Sequence, residues 1–212
     1  ISIVCLYPLQ SFSSITAVQE RQMTSVAEVE ENVHVIGIEG SSDDLDVPME
    51  ACFRDTAFKA AQKLGSVNSV NVVRLIVQTV HYFYAYLRAT PPGATAAVEF
   101  AVPCGAAGHL SAGLLAVEMG LPARLVAATN ANDALHRLLS SGELRPGAAV
   151  RRTVSPSMDI QVPYNCWRLL YAAAGADARA VRRWQADFRS GRLALPESVR
   201  GWLAARVRSA PV

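Results

Sequence analysis

Two stretches of this sequence carry residue types and spacings suited to holding an anion. The first is Pro103-Cys104-Gly105-Ala106-Ala107-Gly108-His109, between an apolar strand-like run and a helix-like run. Glycines at 105 and 108, with alanines between them, let the backbone turn tightly. N–H groups then converge, and the following helix adds the positive end of its dipole. The same spacing serves packing alone in many strand-to-helix turns. The stretch is not a Walker loop, because no Gly-Lys-Ser/Thr follows, and the GxGxxG dinucleotide pattern is incomplete. The second stretch is Ser66-Val67-Asn68-Ser69-Val70-Asn71-Val72-Val73-Arg74. Asn71, Arg74, Gln78 and His81 step by three, four and three and share one helix face. Asn68 or Ser69 is expected to cap the helix, leaving the other polar groups to face an anion at its N-terminus. Arg74 is a forked donor matched to phosphate or carboxylate. The plainer alternative is a richly furnished cap beside a solvated arginine, but one cap needs only one such residue. A ligand bearing phosphate, or a cofactor and a substrate bearing one each, would satisfy both stretches.

Other chemistries find no support. There is no GxSxG elbow for a serine hydrolase. The four cysteines, Cys5, Cys52, Cys104 and Cys166, and the four histidines, His34, His81, His109 and His136, lack metal-ligand spacing, so no metal is expected. Scattered single cysteines suit a reducing, cytoplasmic setting. No apolar run is long enough to span a membrane. The opening residues lack the basic flank and cleavage site of a signal peptide. A net charge of +2 argues against nucleic acid or a membrane surface as partner. The charge is uneven, at −6 over residues 1–65 and +7 over 151–212. The basic end reads as the solvated faces of helices whose apolar stripes are Val181, Trp184 and Phe188, and Val199, Trp202, Leu203 and Val207. Of the 20 basic residues only Lys59 and Lys63 are lysine, a scarcity that matters wherever chemistry needs an amine.

The elements that position these residues follow from the pattern. Residues 1–7 read as a strand, 16–31 as a helix and 33–38 as a second strand, which implies a parallel crossover. Ser42-Asp43-Asp44 is expected to cap a helix running to about Lys63. Leu64-Gly65-Ser66 marks a helix stop and a boundary, dividing a smaller α/β lobe (1–64) from a larger lobe (65–212) that holds both candidate anion sites. A long helix is expected from Asn71 to about Arg88, with Val72, Ile76, Val80, Phe83 and Leu87 as its core-facing stripe. A strand at 98–102, a helix at 109–119 and a strand at 124–128 form another crossover. The chain beyond Asn132 reads as mostly helical. Ile1 is not Met and opens inside an apolar run, so the sequence reads as a piece of a longer protein.

Several ordered strings resemble the threonine synthase family over nearly the whole chain. They are Val18-Gln19-Glu20-Arg21-Gln22-Met23-Thr24, then Asn32-Val33-His34-Val35-Ile36-Gly37-Ile38-Glu39-Gly40 with Asp43-Asp44. Next come Asn68-Ser69-Val70-Asn71 with Arg74 and Gln78, and His81-Tyr82-Phe83. Val102-Pro103-Cys104-Gly105-Ala106-Ala107-Gly108, Gly120-Leu121-Pro122 and Asn130-Ala131-Asn132-Asp133 with His136-Arg137 follow. The last is Ser157-Met158-Asp159-Ile160-Gln161-Val162-Pro163-Tyr164-Asn165 with Arg168. The resemblance implies an incomplete α/β fold of the tryptophan synthase β-like type (fold type II), with parallel sheets flanked by helices. It implies pyridoxal 5'-phosphate as cofactor and O-phosphohomoserine as a small-molecule substrate, converted with water to threonine and phosphate by a carbon-oxygen lyase. A monomer or homodimer is expected. Cys104, Gly105, Ala106, Ala107, Gly108 and His109 match the cradle of the cofactor phosphate. Asn68, Ser69, Asn71 and Arg74 match the seat of the substrate phosphate.

The departures are specific. The family's Schiff-base lysine and its Gly-Asp-Thr-Gly-type segment have no match here, so no catalytic residue is assigned and the chain alone is expected to be inactive. Lys59 and Lys63 lie outside any matching motif. Cys104 stands where the family usually has Thr or Ser, and His109 where it has Asn or Asp. The family's Asn-x-Glu-Arg ending reads Asn165-Cys166-Trp167-Arg168. Two alternatives stay open: a lyase releasing 2-oxobutyrate from the same substrate, and a non-catalytic relative with a binding or signalling role.

Overall fold

A computed structural model describes residues 1–9, 15–40, 44–145, 149–191 and 193–211. The chain divides into two compact units, Ile1–Gly65 and Ser66–Val212. In the first, β1 (Ile3–Pro8) and β2 (Val33–Ile38) pair in parallel with Ile3 opposite Val33, and α1 (Ala17–Ala27) makes the crossover. Thr16 and Gln19 close a reciprocal capping box at the start of α1. This helix ends four residues before the expected position. Glu28, Glu30 and Glu31 would place like charges at the negative end of the helix dipole, which disfavours its extension. The single helix expected up to Lys63 is two helices, α2 (Asp46–Arg54) and α3 (Thr56–Ala61). Asp55 between them is extended, and its carboxylate accepts from the Phe58 N–H at 2.9 Å as an N-cap. Ser42 and Asp43, part of the expected cap upstream, lie outside the described residues.

The second unit is built on a parallel sheet of β3 (Val98–Pro103), β4 (Ala123–Thr129) and β5 (Val207–Pro211), in the order β3-β4-β5. Its helices are α4 (Val72–Ala89), α5 (Gly108–Glu118), α6 (Ala134–Ser141), α7 (Cys166–Ala173), α8 (Ala178–Arg189) and α9 (Glu197–Ala204). A 3-10 turn lies at Pro156–Met158. Helix α5 joins β3 to β4 and is buried nearly all round through Leu110, Ala112, Gly113, Leu114 and Ala116. Such a helix belongs at the centre of a core, with α4 packed along it. Strand β5 was not expected. Val207, assigned to a helical stripe with Val199 and Leu203, is instead buried on β5 opposite Leu125. Val199 and Leu203 are buried on α9, and Val181 and Trp184 on α8, as their spacing predicts.

The expected stripe on α4 meets the core only at Phe83, which is partly buried against it. Leu75, Thr79, Tyr82 and Tyr86 are buried, whereas Val72, Ile76, Val80 and Leu87 are exposed. Helix α4 is apolar on two faces, and α5 selects the aromatic one. A Cβ placed on Gly113 would lie 2.7 Å from the Tyr82 ring, so the absent side chain is what admits the ring. The Tyr82 hydroxyl then donates to the His109 carbonyl at 2.9 Å. Tyr86 donates to the Ala94 carbonyl at 3.0 Å. These bonds let two phenols be buried without an unmet hydroxyl. Among the described residues no helix is long and apolar enough to cross a membrane.

Candidate functional site

The turn from β3 into α5 is shaped by what surrounds it. Cys104 is buried, its N–H donates to the Ala128 carbonyl at 2.8 Å and its thiol to Val102 O at 3.1 Å. Burial pushes this thiol up to about 12, so it stays protonated near neutrality. A Cβ on Gly105 would stand 3.1 Å from the Met158 Cα, the Ser157 carbonyl oxygen and the Ile160 Cδ1. Only glycine lets the turn press against that segment. Ala107 takes a left-handed conformation with φ of +62° and precedes α5 without offering a side-chain cap. Among the described residues, none of the N–H groups of residues 105–109 donates to an acceptor of the protein. Five successive unmet amides at the start of a helix form a concave donor surface for an anion.

His109 supplies no fixed charge to this surface. Its ring stacks on Tyr82 at 4.7 Å and lies 5.6 Å from the His81 ring. Burial, and secondarily His81, holds its pKa below the ordinary histidine value, so it is neutral at physiological pH.

The loop leading into α4 meets this turn at Gly108. A Cβ on Gly108 would lie 3.3 Å from Asn165 Nδ2 and 3.4 Å from Ser69 Cβ. The four polar residues expected around a substrate phosphate are not equivalent. Asn71 caps α4, accepting from the Val73 N–H at 3.1 Å and donating to Ser66 O at 2.8 Å. The expected cap, Asn68 or Ser69, is therefore corrected to Asn71, whose extended backbone places it as the last residue before the helix. Ser69 donates to Asn68 Oδ1 at 3.2 Å and accepts from Asn165 Nδ2 at 3.0 Å. Arg74 is exposed, with one contact of 3.4 Å to Val67 O. Ser69 is thus brought to the 103–109 turn, Asn68 is bonded to it, and Asn71 is occupied with the helix end.

Sequence reasoning passed over two further groups. Asn165 and Arg168 lie within a recognised string but were not placed in the site. Asn130, Asn132, Thr153 and Asp159 form a buried network in which Asp159 accepts from Asn130 Nδ2 at 2.8 Å, Asn132 Nδ2 at 3.0 Å and Thr153 Oγ1 at 2.7 Å. The network fixes the strand-to-loop exit of β4 to the segment that walls Gly105. Asn130, Asn132 and Asp159 also lie within recognised strings, without a role in the site assigned to them. Lys59 sits on α3 with Nζ 5.7 Å above the Phe53 ring, and Lys63 follows that helix with φ of +49°. Among the described residues no cluster of three or more His, Cys, Asp or Glu could hold a metal.

No protein-family model matches the chain. It is 43% identical to threonine synthase-like 2 of Rattus norvegicus over 216 aligned positions, which cover 100% of this chain and 44% of that protein. It is 38% identical to threonine synthase of Pseudomonas aeruginosa, covering 96% of this chain and 42% of that protein. The crystal structure of pyridoxal-phosphate-bound threonine synthase from Brucella melitensis superposes with a TM-score of 0.79 at 38% identity, over 99% of this chain and 44% of that one. Yeast threonine synthase superposes with a TM-score of 0.80 at 33% identity, over 100% of this chain and 42% of that one. The chain therefore spans less than half the length of each of these relatives. The fold is the α/β, fold type II arrangement expected from the sequence.

Proposed function

Homologous over its whole length to part of the threonine synthases and threonine synthase-like proteins, the chain carries a segment of that family, and we propose that the protein containing it is a pyridoxal-phosphate enzyme acting on O-phosphohomoserine to give threonine and phosphate. The observation that carries this reading is the row of unmet amides at residues 105–109. The donor set is neutral, backbone-based and placed at a helix N-terminus, which suits a phosphate ester. The cofactor, when bound, supplies an electron sink for carbanions formed beside it.

The chain's own residues bind and orient. The amides of residues 105–109 hold the cofactor phosphate. Asn68, Ser69 and Arg74 are assigned to the substrate phosphate, with Ser69 nearest the turn and Arg74 adding charge from the exposed side, and Asn71, bonded to Ser66 O and the Val73 N–H, holds the helix start beside them. Cys104, kept protonated by burial, fills space beneath the turn and neither attacks nor accepts a proton. Activity is assigned to the whole protein, because neither Lys59 nor Lys63 matches the family lysine.

The departures at Cys104 and His109 within the cradle favour one second reading, a lyase that releases 2-oxobutyrate from the same substrate. Incubating the full natural protein with pyridoxal phosphate and O-phosphohomoserine separates the two. Threonine formed in step with phosphate supports the first reading, and 2-oxobutyrate selects the second. Release of neither product by cofactor-loaded protein contradicts both.

A further inference from the structure

Asn165 is 2% exposed, and each of its four polar groups is engaged. Its N–H donates to the Ala106 carbonyl at 3.0 Å. Its carbonyl lies 3.2 Å from the Ser111 hydroxyl, which also reaches the Ala107 carbonyl at 2.8 Å. Its Nδ2 donates to Ser69 Oγ, and its Oδ1 accepts from Arg168 Nε at 3.2 Å. The backbone of Asn165 thus grips the 103–109 turn while its side chain grips the loop before α4. Arg168 completes the link from the other side, donating to the carbonyls of Ser69 at 2.9 Å and Val70 at 3.0 Å. The guanidinium is partly desolvated in doing so, a cost that its three protein acceptors offset. A lysine has the charge but not the planar fork, and cannot reach all three acceptors together.

We infer that Asn165 and Arg168 are positioning residues that set Ser69 at a fixed distance from Gly108, so that two phosphate seats act as one composite site. The inference rests on the reading of the two seats given above and adds what aligns them. Neither side chain touches a ligand in this account. Asn165 and Arg168 bond Ser69 and Val70, whereas Ser111 bonds the turn. The division predicts opposite selectivity for substitutions on the two sides.

The test uses the full natural protein and two probes. Pyridoxal phosphate, followed by its absorbance and phosphorus resonance, reports the turn. Inorganic phosphate, titrated with that cofactor saturating, reports the seat before α4. Arg168→Lys and Asn165→Ala should each weaken inorganic phosphate about tenfold and leave pyridoxal phosphate within about twofold. Ser111→Ala should weaken pyridoxal phosphate more than inorganic phosphate. Phosphate binding fully kept in Arg168→Lys would show that charge alone matters and overturn the inference. Equal weakening of both probes by every variant, tracking a fall in melting temperature, would overturn it as well. Binding of neither probe by the unsubstituted protein would instead remove the underlying reading, and the inference with it.

Discussion

At the scale of single residues, the turn depends on side chains that are missing. Gly105 has three atoms waiting at 3.1 Å, two of them backbone, and backbone cannot rotate away. Gly105→Ala should therefore shift the 157–160 segment, cost about 1–3 kcal/mol of stability and weaken pyridoxal phosphate more than tenfold, measured by chemical denaturation and cofactor titration. His109 gives a pH dependence whose sign is fixed. Its folded pKa lies below the ordinary value of 6.5, so between the two values the unfolded chain binds more protons than the folded one. Stability is complete above the unfolded value and falls as pH drops below it, until the folded group also titrates. Urea unfolding at pH 7.5 and pH 5 should show this decline, and His109→Asn should remove its share. The turn itself was legible in the sequence, because glycine spacing between a strand and a helix is a local signal. The linkage through Asn165 was not, since its partners lie 96 residues away at Ser69 and 54 away at Ser111.

At the scale of elements, the packing of α4 on α5 shows where periodicity stops being informative. Both faces of α4 carry apolar residues at helical spacing, and the spacing of Val72, Ile76, Val80, Phe83 and Leu87 is as regular as that of Leu75, Thr79, Tyr82 and Tyr86. The choice is made by α5, whose Gly113 admits the Tyr82 ring, and that is a property of the pair. Gly113→Ala should displace the ring and destabilise the protein by about 1–3 kcal/mol, with a change in near-ultraviolet circular dichroism. The wall of the cradle rests on a different element, the loop held by Asp159. Replacing Asp159 with Ala leaves the Thr153 N–H without its acceptor at 3.0 Å and takes one partner each from Asn130, Asn132 and the Thr153 hydroxyl, which keep their bonds to Ser155, Arg151 and one another. A loss of about 2 kcal/mol or more is expected, together with weaker cofactor binding, although Asp159 touches no ligand. Strand β5 escaped notice because Val207 continues the apolar spacing of Val199 and Leu203 by coincidence. The parallel crossovers were legible because each of their strands is a short β-branched or apolar run bounded by turn residues.

At the scale of the whole molecule, the segment has the fold of a larger family while spanning less than half the length of its relatives. Helix α4 exposes Val72, Ile76, Val80 and Leu87, with Val73, Val77 and Tyr84 beside them, and a contiguous apolar face of this kind favours association. The 212-residue chain produced alone should self-associate at micromolar concentration in sedimentation experiments, and Ile76→Glu with Val80→Glu should reduce that association. The central claim is that the chain holds the phosphate of pyridoxal phosphate through the backbone of residues 105–109. Equilibrium binding of pyridoxal phosphate and of pyridoxal, which lacks the phosphate, to the full natural protein tests it most directly. A preference of at least about a hundredfold for the phosphorylated form is expected, lost in Gly105→Ala. Equal affinity for the two compounds would contradict it.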